Sequence, residues 1–146
     1  MPSKKKADFM LGYKGHKREI FLFYVELKRP NKFSKYQVED DFVKLCKHMK
    51  YSIDNQAAIG IEAPVALGLW CEGISVFLHI LIPNFSNIIY SGFVCSLMKM
   101  TLVEEGIYVP VVLRKFRLPE SESELISLSR AMECLNFVLV CINAYN

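Results

Sequence analysis

An acid and an amine stand two residues apart at the end of the most strand-like run of this 146-residue chain. Glu26 and Lys28 close the segment Ile20-Phe21-Leu22-Phe23-Tyr24-Val25. Side chains of a strand alternate between its two faces, so Glu26 and Lys28 project together while Leu27 projects the other way. A carboxylate binds a hard cation through oxygen, and an ammonium steadies an attacking water or a phosphate. The pair is therefore the minimum of a metal-dependent phosphodiesterase site. Glu-x-Lys alone is a motif that composition yields by chance, and an exposed ion pair at a strand end, contributing under about 1 kcal/mol, accounts for it equally well. The chemistry needs a third group.

Asp8 is that group. Between the two apolar runs lies Lys14-Gly15-His16-Lys17-Arg18, polar and glycine-containing, which reads as a hairpin turn. Partners in an antiparallel pair keep a nearly constant sum of residue numbers. A turn centred between His16 and Lys17 sets that sum at 33, and Asp8 with Glu26 gives 34. The two carboxylates become cross-strand neighbours, with Cβ atoms roughly 5 Å apart if they share a face. Two carboxylates so placed repel each other unless a proton or a cation lies between them.

The elements that must hold these groups follow from the hydrophobic pattern. Ala7–Tyr13 and Arg18–Arg29 read as paired strands. The second is apolar on both faces, with Ile20, Leu22 and Tyr24 opposed to Phe21, Phe23, Val25 and Leu27, so it belongs inside a sheet. Pro30 ends it, because proline has no donor for the ladder. A helix is predicted from Gln37 to Asn55. Val38, Phe42, Leu45, Cys46, Met49 and Ile53 form its apolar stripe, and Glu39, Asp40 and Asp41 crowd its positive end. Lys44, Lys47 and Lys50 read as its solvated side. Further strands are expected over Val65–Trp70, Gly92–Met100 and Ile107–Phe116. A last helix is expected over Ser123–Cys141, with Leu125, Leu128, Met132, Leu135, Val138 and Leu139 toward the core. The fold class is thus α/β, a mixed sheet flanked by helices, in a single domain covering 1–146.

Composition narrows the context. A chain that is 52% hydrophobic is not disordered, and a net charge of +3 permits contact with nucleic acid without requiring it. Cys46, Cys71, Cys95, Cys134 and Cys141 are odd in number and lack any CxxC spacing. They read as free thiols in a reducing, intracellular compartment, nucleus or cytoplasm. His79 reads as a packed histidine and Trp70 as core. A rival reading takes 64–83 as a membrane span, since it is about bilayer length and holds one acid, Glu72. That glutamate near its middle would cost about 2.5–3.5 kcal/mol.

Asp8, then Glu26-Leu27-Lys28 on the next strand, then a helix opening at Gln37, resembles the PD-(D/E)XK superfamily of restriction-endonuclease-like nucleases. The run Gln37–Leu45, the pair Glu72-Gly73 read as a strand turn, and Gly106-Ile107-Tyr108 ahead of a last helix are similar to fungal members of that group. The resemblance spans about 7–73 and 93–140. It implies a restriction-endonuclease-like mixed sheet and hydrolysis of a nucleic-acid phosphodiester, DNA rather more than RNA. Asp8 and Glu26 would bind Mg²⁺ (or Mn²⁺), Lys28 would orient the water or offset phosphate charge, and Gln37 would be accessory. The family core has a helix and a strand before the aspartate strand, whereas seven residues precede Asp8 here, so an incomplete core at the N-terminus is expected. The apolar stretch 74–91 interrupts the similar pattern and reads as an insertion or a translated intron. Together these leave open a degenerate nuclease, or a catalytically inactive nucleic-acid-binding or protein-interaction module on the same fold.

Overall fold

The computed structural model describes residues 6–14, 19–28, 41–77, 89–119 and 121–144. They form β1 (Phe9–Lys14), β2 (Glu19–Lys28), α1 (Asp41–Ala58), β3 (Val65–Phe77), β4 (Ile89–Glu104) and β5 (Ile107–Leu118). A short 3-10 helix (Glu122–Ser127) then leads into α2 (Leu128–Asn143). The sheet has the order β1-β2-β3-β4-β5. Its strands pair antiparallel except β2 with β3, which are parallel. Parallel neighbours need a long crossover, and here the connection from β2 to β3 contains α1. The α/β class and the mixed sheet flanked by helices are as the sequence predicts.

The two faces of the sheet carry separate cores. Tyr24, Ala66, Met98 and Met100 pack with Leu45, Met49 and Ile53 of α1. Leu22, Phe23, Leu69, Cys71, Cys95, Leu97 and Phe116 pack with Ala131, Cys134, Val138 and Ile142 of α2. Helix α1 comes close because β3 carries Gly68 beneath it; a Cβ there would stand 2.5 Å from the sulfur of Met49. Gln56 anchors the far end of α1. Its Nε2 donates to the carbonyl of Val65 at 2.7 Å, and its Oε1 accepts from the Val65 N–H at 3.0 Å. The buried Ser52 hydroxyl donates to the carbonyl of Phe21.

A bulge in β2 changes the predicted facing of its side chains. Leu11 pairs with Phe23 and Gly12 with Phe21, so Leu22 is the extra residue. Gly12 is needed at this point, because a Cβ would lie 2.1 Å from the carbonyl oxygen of Ile20. As a result Leu22 and Phe23 are buried on the same side, and Phe21 joins Tyr24 on the α1 side. Strict alternation through 20–27 therefore fails at one residue, and the phase after it brings Tyr24 and Glu26 under α1.

The last helix also differs from expectation. Of the predicted core positions Val138 is buried as expected, while Leu125, Leu128, Met132, Leu135 and Leu139 are exposed; Ala131, Cys134 and Ile142 are buried instead. The segment is apolar on every side, so periodicity could not select its inner stripe, and smaller side chains let the helix approach Phe116 and Leu97. The helical stretch Glu122–Asn143 is long and apolar enough to cross a membrane, with a mean hydropathy of 1.7. Val65–Phe77, most of the stretch read as a possible span, is instead a strand, paired with β4 along its length and with β2 over Leu67–Glu72. Glu72 and Gly73 likewise lie inside β3 and form no strand turn. Pairing of β3 with β4 continues through Phe77 and Ile89, so both ends of the apolar stretch 74–91 belong to the sheet.

Candidate functional site

Asp8 stands one residue before β1. Phe9 pairs with Val25, so the next step of the same register sets Asp8 opposite Glu26. The Asp8 carboxylate also stands in for a ladder carbonyl: the Leu27 N–H donates to its Oδ2 at 2.8 Å. The pairing is legible because the polar turn segment lies midway between the two residues. Gln37 lies outside the described residues, as do Glu39, Asp40 and His79.

Glu26 is buried, 1% exposed, beneath α1. Its Oε2 accepts from Lys44 Nζ at 2.7 Å, and its Oε1 lies 3.9 Å from His48 Nε2. Lys44 and His48 are one helical turn apart on α1, on one side of it, and the His48 ring stacks on Tyr24 with centroids 5.5 Å apart. Lys44 thus belongs to the site, with a side chain only 15% exposed, and not to the solvated side of the helix. Among the described residues the Oε1 of Glu26 and the indole Nε1 of Trp70 are buried without a hydrogen-bond partner. Glu26 and Trp70 are register partners across β2 and β3, so both atoms sit on one rung.

Burial pushes the Glu26 carboxyl above its usual range. The bond and charge of Lys44 pull it back, and the negative charges of Asp8 and Asp41 push it further up. Lys28 projects on the same face as Glu26 and pairs with Glu72 of β3 at 3.2 Å. These two are register partners as well. The sequence reading missed His48 and Glu72 as site residues and set Lys44 aside. The spacing of Lys44 and His48, one helical turn apart and just off the apolar stripe, was the available signal.

A divalent cation has a limited but recognisable set of donors here. Mg²⁺ is commonly held by one or two carboxylates together with water and substrate phosphate, and Asp8 with the buried Glu26 oxygen that lacks a hydrogen bond supplies that number. Among the described residues no group of three or more His, Cys, Asp or Glu side chains gathers to enclose a metal. The Lys44 ammonium already neutralises one side of Glu26.

No family model, curated protein or solved structure matches this chain. The resemblance to the PD-(D/E)XK nucleases rests on the sequence motifs alone.

Proposed function

We propose that this chain is a PD-(D/E)XK-like protein with the restriction-endonuclease-like fold, and that it hydrolyses nucleic-acid phosphodiesters with the help of Mg²⁺ or Mn²⁺. The observation carrying this reading is Glu26: buried, with one oxygen held by Lys44 and the other without a hydrogen bond, 3.9 Å from His48, on the rung beside Asp8. A hairpin bearing an aspartate and an E-x-K, followed by a helix, is the arrangement the resemblance implies. Asp8 and Glu26 would hold the ion, which when bound supplies a water of lowered pKa and a counter-charge for the phosphate. Lys44 fixes the orientation of Glu26 and favours its ionised form. Lys28, steadied by Glu72, offsets charge on the phosphate. Five cysteines without a disulfide support an intracellular setting, nucleus or cytoplasm.

Plasmid nicking with Mg²⁺ or Mn²⁺ tests the reading. Wild type should nick, and Glu26→Ala, Asp8→Ala and Lys28→Ala should each lose about a hundredfold or more. Equal nicking by all four proteins would remove this site from consideration.

One observation favours a second reading, a nucleic-acid-binding module without catalysis. Both Glu26 and Lys28 already have an opposite charge within the protein, at 2.7 and 3.2 Å. On that reading wild type binds DNA and leaves it uncut in either metal.

A further inference from the structure

Helix α2 leaves one flank open beside an uncovered part of the sheet. Each residue of a helix turns about 100° from the last. Glu133, Cys134 and Leu135 therefore step from one flank, through the buried stripe, to the other. The first flank faces β5, where Glu133 pairs with Arg114 at 3.4 Å. The second faces away from β5, toward the β1 edge. It carries Leu125 of the 3-10 turn and Leu128, Met132, Leu135 and Leu139 of α2, all between 39% and 56% exposed.

On the same face of the sheet, β1 and β2 present Phe9 and Leu27. Phe9 is level with Val25 and Leu27 with Cys71, both part of the core under α2. Residues opposite each other share a face, so Phe9 and Leu27 belong to the α2 side, and each is about half exposed. Leu11 with Phe23 and Tyr13 with Ile20 continue this face. No charged side chain of β1 or β2 interrupts it among the described residues. The seven side chains of flank and ledge expose roughly 700 Å² of surface, close to the about 800 Å² that each partner buries in a stable complex.

The spacing along the flank indicates what covers it. Leu128, Met132, Leu135 and Leu139 recur at steps of four, three and four, the alternation by which one helix receives the side chains of another. That series reads the same in both directions. A second α2 running antiparallel therefore meets it in register, Leu128 against Leu139 of the partner subunit and Met132 against Leu135 of the partner subunit. Each contact then occurs twice about a twofold axis, as a self-complementary surface requires. A lipid surface does not match this pattern. Ser129, Asn136 and Asn143 crown the helix opposite its buried stripe and are exposed, and a bilayer resting on α2 would bury them. We infer that the open flank of α2, with the ledge of Phe9 and Leu27, is the interface of a twofold homodimer in which two α2 helices pack antiparallel. It lies on the face of the sheet opposite Glu26 and stands apart from the nuclease reading.

Sedimentation equilibrium of the full chain tests the dimer. Wild type at micromolar concentration should show twice the 16.8 kDa of the chain. Met132→Glu/Leu135→Glu sets like charges against each other at both central contacts. It should weaken association by about a hundredfold or more and show the single-chain mass, as should Met132→Lys/Leu135→Lys. An equal mixture of the two variants joins opposite charges and should recover the doubled mass, which separates loss of the interface from loss of the fold. The control Val103→Glu/Val111→Glu, at two exposed apolar positions of the β4–β5 hairpin, should keep the doubled mass. A single-chain mass for wild type, for the control or for the mixture would overturn the interface, and so would a doubled mass for either charged variant alone. Flotation with phosphatidylcholine vesicles is read beside it: a wild type that floats with vesicles and sediments as one chain without them would assign the flank to lipid and overturn the dimer.

Discussion

The two helices meet the same sheet under different rules. Helix α1 buries large side chains and polar groups together: Leu45, Met49 and Ile53 beside Ser52 and Gln56, with Lys44 and His48 turned onto Glu26. Helix α2 buries Ala131, Cys134, Val138 and Ile142 and leaves Met132, Leu135, Leu139 and Val140 in the open. The α1 side specifies positions through directional bonds, each of which has one satisfactory geometry. The α2 side adheres through apolar contact that many side chains satisfy. A carboxylate held in one fixed geometry, Glu26, is therefore found under α1.

Substitutions should separate these rules. The largest effect is expected from Lys44→Met, which leaves the Glu26 charge buried without its partner. Urea unfolding should register a loss of about 3 kcal/mol, and millimolar Mg²⁺ should recover part of it if the site takes a cation. Next comes Gln56→Leu, which strands the N–H and carbonyl of Val65 and should lower stability by about 2 kcal/mol in the same assay. A loss below about 0.5 kcal/mol in either would mean that α1 is held no more specifically than α2.

Dependence on pH gives a smaller effect with a definite sign. Burial raises the folded-state carboxyl of Glu26 above its ordinary value near 4.5, so the folded state holds a proton more tightly than the unfolded chain does. Its contribution to stability is complete below about 4.5 and is lost as the pH rises through the folded value, at up to about 1.4 kcal/mol per pH unit. The difference in unfolding free energy between wild type and Glu26→Gln, followed from pH 4 upward, should show that decline, and a difference that grows with pH would contradict it. The smallest effect belongs to α2. Val140→Gln, at a side chain 67% exposed, should change stability by no more than about 0.5 kcal/mol. A loss of several times that would show its outer side to be as constrained as α1.

Much of this was legible in the chain. The strands, both helices and the pairing of Asp8 with Glu26 follow from apolar runs, turn chemistry and a residue-number sum. What escaped depended on three dimensions. The bulge at Leu22 is invisible to alternation because its neighbours are apolar on both sides. The inner stripe of α2 is invisible because the helix is apolar all round. Lys44 looked like a solvated lysine because nothing in the local sequence reveals a buried acid 18 positions earlier. Glu72 looked like part of a turn, and only the parallel register of β2 with β3 makes it the partner of Lys28.

The central claim is that the Glu26 oxygen without a hydrogen bond and the adjacent Asp8 together accept a divalent cation. Electron paramagnetic resonance of Mn²⁺ titrated with the protein reads this directly, since bound Mn²⁺ loses the sharp signal of the free ion. Wild type should deplete the free signal at one site per chain, and Glu26→Gln and Asp8→Asn should each abolish that depletion. A free signal undiminished by wild type, or depleted equally by both variants, would contradict it.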